Sequence, residues 1–412
     1  MPETYVYITL PGATTAVTAG RFAHTVERNG VTVGRFVFGR RYLEREDAVE
    51  IDPVELRFGR AGYETVRLNG VFGALRDSGP DYWGRRVIER HAGLAQLGEL
   101  DYLLHSPDDR AGALGFGLGV DPPAPARAFN KTWDLEKLQA LADSLLADEV
   151  PKDAAQVEEL LLLGTSMGGA RPKVVVESDE ALWLAKFNRQ DDRWNMARVE
   201  HATLQLARQC GLQVAESQVV TVGGRDVLLV KRFDRTRVES GYARARMVSA
   251  LTLLETDESP DGRQRWSYVL LAETLRRISQ HPADDACELF RRMVFNALVS
   301  NTDDHPRNHA AIAPGPGWRL SPAYDLTPTP WVSVERRDLA MICGAQGRFA
   351  NAGNLRSESR RFLLDDEAAT ALIDEMERAV AEQWYSVARA CGVSEPDCAA
   401  ISPAYAYPGF RS

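Results

Sequence analysis

Three closely spaced prolines, at positions 122, 123 and 125, limit the fold of this chain more than any other local feature. They lie in segment 119–127, Gly-Val-Asp-Pro-Pro-Ala-Pro-Ala-Arg. Proline favours extended backbone and interrupts both helices and inner strands, so this segment is typical of a linker. The chain has 412 residues, which is too long for one compact core. We therefore expect a domain boundary near residue 125.

The composition is that of an ordinary globular protein and excludes several classes of function. Hydrophobic residues make up 44% of the chain, and no apolar stretch is long enough to cross a membrane. The first residues lack the pattern of a secretion signal, so we expect a cytoplasmic protein without a membrane partner. The net charge of −9 gives the surface as a whole no reason to bind nucleic acid. The five scattered cysteines suit neither a disulfide framework nor a cysteine zinc site.

The periodicity of apolar residues predicts an α+β chain with three regions. Residues 1–125 are expected to be β-rich, with alternation over 31–38 and one helix over about 81–91. Residues 126–240 combine an opening helix, strands over 173–177, 182–187, 218–222 and 227–231, and a helix over about 194–210. Residues 241–412 are expected to be helical, with a buried face over 289–298 and a long amphipathic helix over 365–390.

Segment 301–309, Asn-Thr-Asp-Asp-His-Pro-Arg-Asn-His, carries the residues best suited to chemistry. Protein kinases place a carboxylate base and a metal-binding asparagine five residues apart on one loop, and Asp303 and Asn308 have this spacing. Two other interpretations stay open. The segment could be a polar turn that ends a helix, or a transition-metal cluster of Asp303, Asp304, His305 and His309.

A single acid after a short apolar strand strengthens the first interpretation. Segment 318–325, Trp-Arg-Leu-Ser-Pro-Ala-Tyr-Asp, places Asp325 where a kinase has its second metal ligand, one hairpin after the asparagine. Alone this signal is weak. In chain order with Asp303 and Asn308 it predicts a Mg²⁺ site made by Asn308 and Asp325.

Lys186 stands in an otherwise apolar strand, Ala-Leu-Trp-Leu-Ala-Lys-Phe. An isolated buried ammonium is costly, so a lysine here should be paired or functional. Glu200 on the following helix is a candidate partner for it. The alternatives are a lysine that faces solvent from an edge strand and a glutamate on an exposed helix face.

Two further segments suit a nucleotide. The loop 164–173, Gly-Thr-Ser-Met-Gly-Gly-Ala-Arg-Pro-Lys, offers the backbone N–H groups of Gly168, Gly169 and Ala170 to phosphate oxygens, although it lacks the usual glycine-rich patterns. The strand end at Lys231 and Phe233 lies where the backbone between two lobes would bind adenine. Together these segments predict ATP as the cofactor.

Five blocks of the sequence, in order, resemble the HipA family of kinase toxins from bacterial toxin–antitoxin pairs. They are Phe-Gly-Ala-Leu-Arg-Asp-Ser-Gly-Pro-Asp-Tyr-Trp-Gly (72–84), Ser-Met-Gly-Gly-Ala-Arg-Pro-Lys (166–173), Lys-Arg-Phe-Asp-Arg (231–235), Phe-Asn-Ala-Leu-Val-Ser-Asn-Thr-Asp-Asp-His-Pro-Arg-Asn-His (295–309) and Pro-Ala-Tyr-Asp-Leu (322–326). The resemblance implies a two-lobed, protein-kinase-like fold. It has a small β-rich N-terminal subdomain and an all-helical C-lobe.

The resemblance also implies an activity and a set of partners. HipA proteins are serine/threonine kinases that use ATP and Mg²⁺ and phosphorylate a cytosolic protein, an aminoacyl-tRNA synthetase in the best-known case. A HipB-like helix-turn-helix antitoxin binds the kinase and also binds DNA, so DNA is an indirect partner.

By position, Lys186 would hold the ATP phosphates, Asp303 would be the base, and Ser166 would be the autophosphorylated regulatory serine. At the position of Asp304 the best-studied member of the family has a small residue, so Asp304 is a departure from it. The spacing to Asn308 favours Asp303 as the base but leaves open whether Asp304 shares its role.

Two alternative functions stay open at this point. The chain could be a catalytically silent scaffold that stabilises a DNA-bound antitoxin. It could also be a metallohydrolase that uses Asp303, Asp304 and His305, although such an enzyme would explain neither the glycine loop nor Lys186.

Overall fold

The structure, a computed structural model, describes residues 3–92, 97–125, 129–146, 171–178, 181–331, 333–405 and 407–411. The chain forms two compact units. The first contains Met1–Phe187, Lys231–Val248 and Ile312–Pro316, and the second contains Asn188–Val230, Ser249–Ala311 and Gly317–Ser412. The first unit continues across residue 125, and the domain boundaries expected at residues 125 and 240 stay predictions.

Fifteen strands are present in the described residues. They are β1 (Glu3–Thr9), β2 (Ala16–Val26), β3 (Thr32–Phe38), β4 (Tyr63–Thr65), β5 (Leu114–Gly117), β6 (Asn130–Lys131), β7 (Lys173–Ser178), β8 (Ala181–Phe187), β9 (Ser217–Val222), β10 (Arg225–Lys231), β11 (Arg235–Val238), β12 (Gly241–Arg244), β13 (Arg246–Ser249), β14 (Ala310–Ala313) and β15 (Arg319–Leu320).

The same described ranges contain twelve α-helices. They are α1 (Arg40–Leu43), α2 (Gly73–Asp77), α3 (Tyr82–Ala92), α4 (Glu99–His105), α5 (Leu135–Leu146), α6 (Met196–Gln209), α7 (Ala250–Leu253), α8 (Tyr268–Ile278), α9 (Pro282–Leu298), α10 (Ala352–Ser357), α11 (Asp366–Ala390) and α12 (Glu395–Tyr405). None of these helices is long and apolar enough to span a bilayer.

The first unit begins with an antiparallel sheet in the order β4-β3-β2-β1-β5. Period-two burial is clear at the end of β3, where Phe36 and Phe38 are buried and Val37 between them is exposed, whereas residues 6–9 of β1 are all buried. Phe22 and Phe36 are fully inaccessible to solvent. Gly34 lies where β3 approaches the backbone of Gly70. A Cβ added there would lie 1.9 Å from the Gly70 carbonyl oxygen, so no larger residue fits. The β-rich character expected for this region of the chain is confirmed.

Asp52 is a fully buried carboxylate in the same unit. Its Oδ1 accepts hydrogen bonds from the backbone N–H groups of Val54 (2.8 Å) and Glu55 (2.6 Å), and its Oδ2 accepts one from Leu56 (3.1 Å). Burial raises the pKa of Asp52 to about 6, and these hydrogen bonds oppose that shift. Asp52 therefore stabilises a loop at the cost of keeping a charge out of water.

The strands β6, β7 and β8 lie side by side in the first unit, with β7 and β8 antiparallel. Lys173 on β7 is directly opposite Lys186 on β8. The Lys173 side chain is only 5% exposed, and its Nζ lies 3.5 Å from Oδ2 of Asp81. Asp81 also accepts the backbone N–H of Gly84 at 2.6 Å, at the start of α3. The 72–84 block and the end of the glycine loop are thus joined by a buried ion pair.

The second unit is mainly helical and is organised around α9. Pro282 occupies the first turn of this helix together with Asp284 and Asp285, where proline fits and acidic residues complement the helix dipole. Most of its residues from Asp285 to Leu298 are buried. Helix α9 packs against α8 and α11, and α11 packs in turn against α6 and α12. The buried face expected over 289–298 and the long helix expected over 365–390 are confirmed.

Candidate active site

The loop after α9 carries the predicted base and is held tightly at its start. Ser300 takes a left-handed backbone conformation (φ 54°) that ends the helix, and the N–H of Asn301 donates to the carbonyl of Asn296 at 2.8 Å. A short 3₁₀ turn, Pro306–Asn308, closes the loop before β14. The loop therefore projects from the rigid end of a buried helix.

Asp303 and Asp304 are neighbours in sequence but have opposite environments. Asp303 is exposed to solvent, whereas Asp304 is 1% exposed. Asp304 Oδ2 accepts hydrogen bonds from the hydroxyl of Tyr268 and from Nε2 of His309, the latter at 2.8 Å. Only Asp303 of the two presents its carboxylate where a substrate hydroxyl could reach it.

Asn308 is buried and its side chain faces back toward the predicted base. Its Nδ2 donates to the carbonyl oxygen of Asp303 at 3.3 Å, and the same carbonyl accepts the N–H of His305 at 2.8 Å. The amide nitrogen is thereby engaged within the loop, and Oδ1 is the side-chain atom with which Asn308 could bind a cation.

Asp325 lies in the segment after β15, in the same unit, and also has a left-handed backbone (φ 59°). A non-glycine residue in this region is uncommon, and such residues concentrate at functional sites. The preceding residue, Tyr324, donates its hydroxyl to the carbonyl of Arg307 at 2.8 Å. This bond ties the segment that carries Asp325 directly to the loop that carries Asp303 and Asn308.

Helix α9 positions the Asp325 segment as well as the loop that carries Asp303. Near its start, Oδ2 of Asp285 accepts the N–H of Leu320 at 2.8 Å. Further along, the fully buried Arg292 donates to the carbonyl of Ser321. One helix thus holds both polar segments in place.

The electrostatics of the site favour a bound cation. Although Asp303 is exposed, protein atoms around its carboxylate remove some of its hydration, and this desolvation raises its pKa. The negative charges of Asp325 and Asp304 raise the pKa further, whereas His305 lowers it. Asp303 and Asp325 are therefore close enough to repel each other, and a divalent cation nearby would relieve that repulsion.

The donor atoms of the site match a hard cation. A carboxylate and an amide oxygen are ligands that Mg²⁺ prefers, and Mg²⁺ is usually bound by one or two carboxylates together with water and substrate phosphates. Within the described ranges, no group of three or more His, Cys, Asp or Glu side chains is arranged to hold a metal ion. The cluster of Asp303, Asp304, His305 and His309 considered as an alternative therefore has no support from the structure.

The predicted nucleotide residues are divided between the two units. Glu200 is buried on α6 in the second unit, so it is not the exposed helix glutamate of the alternative interpretation. Lys186 is half-buried on β8 in the first unit. The pairing of Lys186 with Glu200 stays a prediction.

The segment around Lys231 and Phe233 alternates between half-buried and buried residues. Lys231 and Phe233 are half-buried, while Arg232 and Asp234 between and beside them are 3% and 2% exposed. Arg232 donates to both carboxylate oxygens of Asp234, from Nε (3.0 Å) and Nη2 (2.9 Å), and also binds the carboxylate of Asp109. The backbone proposed to meet adenine is therefore fixed from one side by a buried ion cluster.

Four predicted residues lie outside the residues that the structure describes. They are Ser166, Gly168, Gly169 and Ala170. Their roles stay predictions.

Sequence reasoning missed Tyr268 entirely and treated His309 only as a metal ligand. Tyr268 begins α8, 36 residues before Asp304. No local pattern marks it, because its role arises from a tertiary contact.

Comparison with known proteins gives the family. Residues 165–384, more than half of the chain, match the model of the HipA-like C-terminal domain. The chain belongs to the HipA family. The resemblance drawn from five sequence blocks is thereby confirmed.

Curated relatives match over shorter stretches. "Putative kinase Y4mE" of Sinorhizobium fredii is 30% identical over 139 residues, which cover 32% of this chain and 32% of that protein. A "Putative kinase" of Haemophilus influenzae is 23% identical over 183 residues, or 42% of this chain and 53% of the relative. The chain thus spans only about a third to a half of the length of these relatives.

A solved structure shares the fold over nearly the whole chain. It is the HipA protein of Shewanella oneidensis, determined as a toxin–antitoxin complex of HipA, HipB and operator DNA. The TM-score is 0.70 at 15% sequence identity, with 97% of this chain and 95% of the other covered. The predicted fold class, an α+β HipA fold related to protein kinases, is confirmed.

Proposed function

We propose that the chain is an ATP-dependent serine/threonine protein kinase that acts as a HipA-type toxin on a cytoplasmic protein. One observation carries the proposal. An exposed carboxylate, Asp303, shares its loop with Asn308, and the Tyr324 hydroxyl bonds that loop to the segment of Asp325. The names of the curated relatives, which call them kinases, support the same activity.

Each polar residue of the second unit has a distinct role in this proposal. Asp303 orients the hydroxyl of a serine or threonine in the substrate and accepts its proton as phosphate is transferred. Asn308 and Asp325 would hold Mg²⁺ through their side-chain oxygens. Bound Mg²⁺ supplies positive charge that neutralises the phosphate oxygens. The raised pKa of Asp303 suits a proton acceptor, because a more basic carboxylate takes up a proton more readily.

The nucleotide is assigned to residues of both units and of the glycine loop. Lys186 would hold the α- and β-phosphates, with Glu200 as its partner. The backbone N–H groups of Gly168, Gly169 and Ala170 would bind phosphate oxygens. The strand end at Lys231 and Phe233 would receive the adenine.

Family membership supports a proposal for the regulation and partners of the chain. We propose a HipB-like antitoxin as binding partner, which would bring the kinase to DNA indirectly, as in the Shewanella oneidensis complex of HipA, HipB and operator DNA. Autophosphorylation of Ser166 would switch the enzyme off. An aminoacyl-tRNA synthetase is the first protein substrate to test.

The decisive experiment is transfer of labelled phosphate from ATP by the purified full chain. Asp303→Asn keeps the shape of the side chain but removes the proton acceptor, so transfer should fall by about 10² or more while ATP binding persists. Asp338→Asn alters an exposed carboxylate on the same unit, which pairs with Arg336 at the surface, and serves as the control.

Two results would count against the proposal. An Asp303→Asn variant as active as Asp338→Asn would remove Asp303 as the base. A wild-type chain that binds a HipB-like antitoxin but transfers no phosphate would identify the silent scaffold instead.

A further inference from the structure

A chain of buried polar side chains lies directly beneath the loop that carries Asp303. It consists of residues that are at most 2% exposed: Tyr268, Asn296, Asn301, Asp304 and His309. We call this set the buried polar chain. Burying five polar side chains is costly unless they form hydrogen bonds with one another, so the hydrogen bonds among them indicate what the set holds in place.

The hydrogen bonds run through the set without a break. Asn301 Nδ2 donates to Oδ1 of Asn296 at 3.1 Å, and Asn296 Nδ2 donates to the hydroxyl of Tyr268 at 3.1 Å. Tyr268 donates to Oδ2 of Asp304, and the same oxygen lies 2.8 Å from Nε2 of His309. The rings of Tyr268 and His309 also pack edge to face, with centroids 5.4 Å apart.

The buried polar chain connects four separate pieces of backbone. Tyr268 belongs to α8 and Asn296 to α9, while Asn301 and Asp304 lie in the loop and His309 stands just before β14. The carbonyl of His309 accepts the N–H of Ala250 at 2.8 Å, which adds the start of α7. Both ends of the loop, and its middle at Asp304, are therefore attached to rigid elements.

The attachment at Asp304 determines where its neighbour points. Asp304 turns inward to Tyr268 and His309, and the adjacent Asp303 side chain is exposed. If the inward attachment were lost, the loop could rotate and carry the Asp303 carboxylate away from the substrate hydroxyl. A displacement of about 1 Å is enough to cost as much as 10²-fold in rate.

We propose that Asp304, held by Tyr268 and His309, is a positioning residue that fixes the orientation of Asp303, and that it takes no proton from the substrate. This inference rests on the proposed kinase activity, and it assigns a role to Asp304 that the spacing to Asn308 left open. Side chains that orient a metal ligand typically change affinity or activity 10- to 100-fold when removed, and we expect a similar effect for one that orients a catalytic carboxylate.

The experiment compares two changes at Asp304. In Asp304→Asn the amide oxygen still accepts the hydrogen bonds of Tyr268 and His309, so kcat should fall by less than about threefold if the residue only positions the loop. In Asp304→Ala both bonds are lost and kcat should fall by about 10- to 100-fold, with little change in KM for ATP. Equal loss of kcat in the two variants would overturn the proposal, because a charged carboxylate would then be required at Asp304.

A second pair of variants separates positioning from general destabilisation. Tyr268→Phe removes one hydroxyl of the buried polar chain and should lower kcat by about 10-fold without weakening ATP binding. Tyr405→Phe removes the hydroxyl of another buried tyrosine in the same unit, which is paired with Thr203 at 3.5 Å, and should leave kcat unchanged. If the two tyrosine variants lose kcat, ATP affinity and stability to the same extent, the buried polar chain is merely structural and the proposal fails.

Hydrogen exchange tests the inference without any catalytic readout. The amide of Asn301 donates to the carbonyl of Asn296 in α9, and the amides of His305 and Asn308 donate to carbonyls within the loop. Their exchange should accelerate about tenfold or more in Tyr268→Phe and stay unchanged in Tyr405→Phe. A wild-type chain that transfers no phosphate would refute the proposed kinase activity. The exchange measurement would still show whether Tyr268 holds the loop. Unchanged exchange in Tyr268→Phe would overturn the inference even in an active kinase.

Discussion

Replacing Arg232 with methionine tests whether the buried ion cluster of the first unit holds the segment at Lys231 and Phe233. The Arg232 guanidinium donates to the carboxylates of Asp109 and Asp234 and, at 2.8 Å, to the carbonyl of Arg110. Burial raises the pKa of Asp234, but the charges of Arg232 and Arg235 outweigh that effect and hold it below its ordinary value. Arg232 is therefore a main cause of the low pKa of Asp234. Burial raises the pKa of Asp109 above its ordinary value, and the charge of Arg232 opposes that rise.

The expected loss of stability is large because the substitution removes a cation and leaves the buried carboxylates with which it was paired. With methionine at position 232, Asp234 would keep Arg235, whose Nη1 lies 2.7 Å from its Oδ2. Asp109 would lose the guanidinium bonded to it and keep the charges of Arg235 and Arg244 nearby. Breaking a buried ion pair by removing one partner costs about 3–5 kcal/mol. For a domain of this size each kcal/mol lowers Tm by about 2–4 °C, so Tm should fall by about 6–20 °C.

Urea unfolding and calorimetry provide the measurement, with Arg237→Met as the matched control. Arg237 is exposed on β11 and lies over the ring of Tyr242, with 5.1 Å from its guanidinium carbon to the ring centroid. Such a contact contributes about 0.5–1 kcal/mol, so Arg237→Met should lower the free energy of unfolding by no more than this amount. Adding Asp109→Asn to Arg232→Met removes one of the stranded charges and should recover some of the loss. An Arg232→Met variant within about 1 kcal/mol of wild type would show that the cluster does not stabilise this segment.

Three further outcomes are expected. Asp325→Ala should abolish the Mg²⁺ dependence of ATP binding in calorimetry, and an unchanged dependence would remove Asp325 from the metal site. Because the pKa of Asp52 is raised to about 6, the folded state takes up a proton as the pH falls from 7.5 to 5, whereas the unfolded state does not. The free energy of unfolding of wild type, relative to that of Asp52→Asn, should therefore increase by about 1.4 kcal/mol over this fall in pH. Urea unfolding that shows no such increase would contradict the raised pKa. Ser166→Ala should prevent loss of ATP affinity during incubation with Mg-ATP, whereas mass spectrometry that finds the phosphate elsewhere would refute the switch.

Regular elements and chemically distinctive spacings could be predicted from the sequence. The strands β7 to β10, helix α6 and the long helix α11 all follow from apolar periodicity. The spacing of Asp303 and Asn308 pointed to one loop, and the structure places both there with Asp325 tied to it. These features are local, or involve segments close together in the chain.

Features that depend on distant partners could not be predicted. Charged residues are exposed by default, yet Arg232 is buried because Asp109, 123 residues earlier, receives its guanidinium. The opposite environments of Asp303 and Asp304 likewise depend on Tyr268 rather than on any periodicity, since a loop has none. A sequence without its tertiary contacts does not say which of two adjacent acids faces outward.

The buried pair of Lys173 and Asp81 bears on how the molecule would respond to a protease. The proline-containing segment before residue 126 belongs to no helix or strand and is partly exposed, so it is a natural site for a single cut. Asp81 and Asp109 lie before such a cut, whereas Lys173 and Arg232 lie after it. The two fragments of the nicked protein should therefore remain bound to each other and separate only in denaturant. In a fragment expressed from residue 129 onward, Lys173 and Arg232 would lack the carboxylates of Asp81 and Asp109 that pair with them in the intact chain.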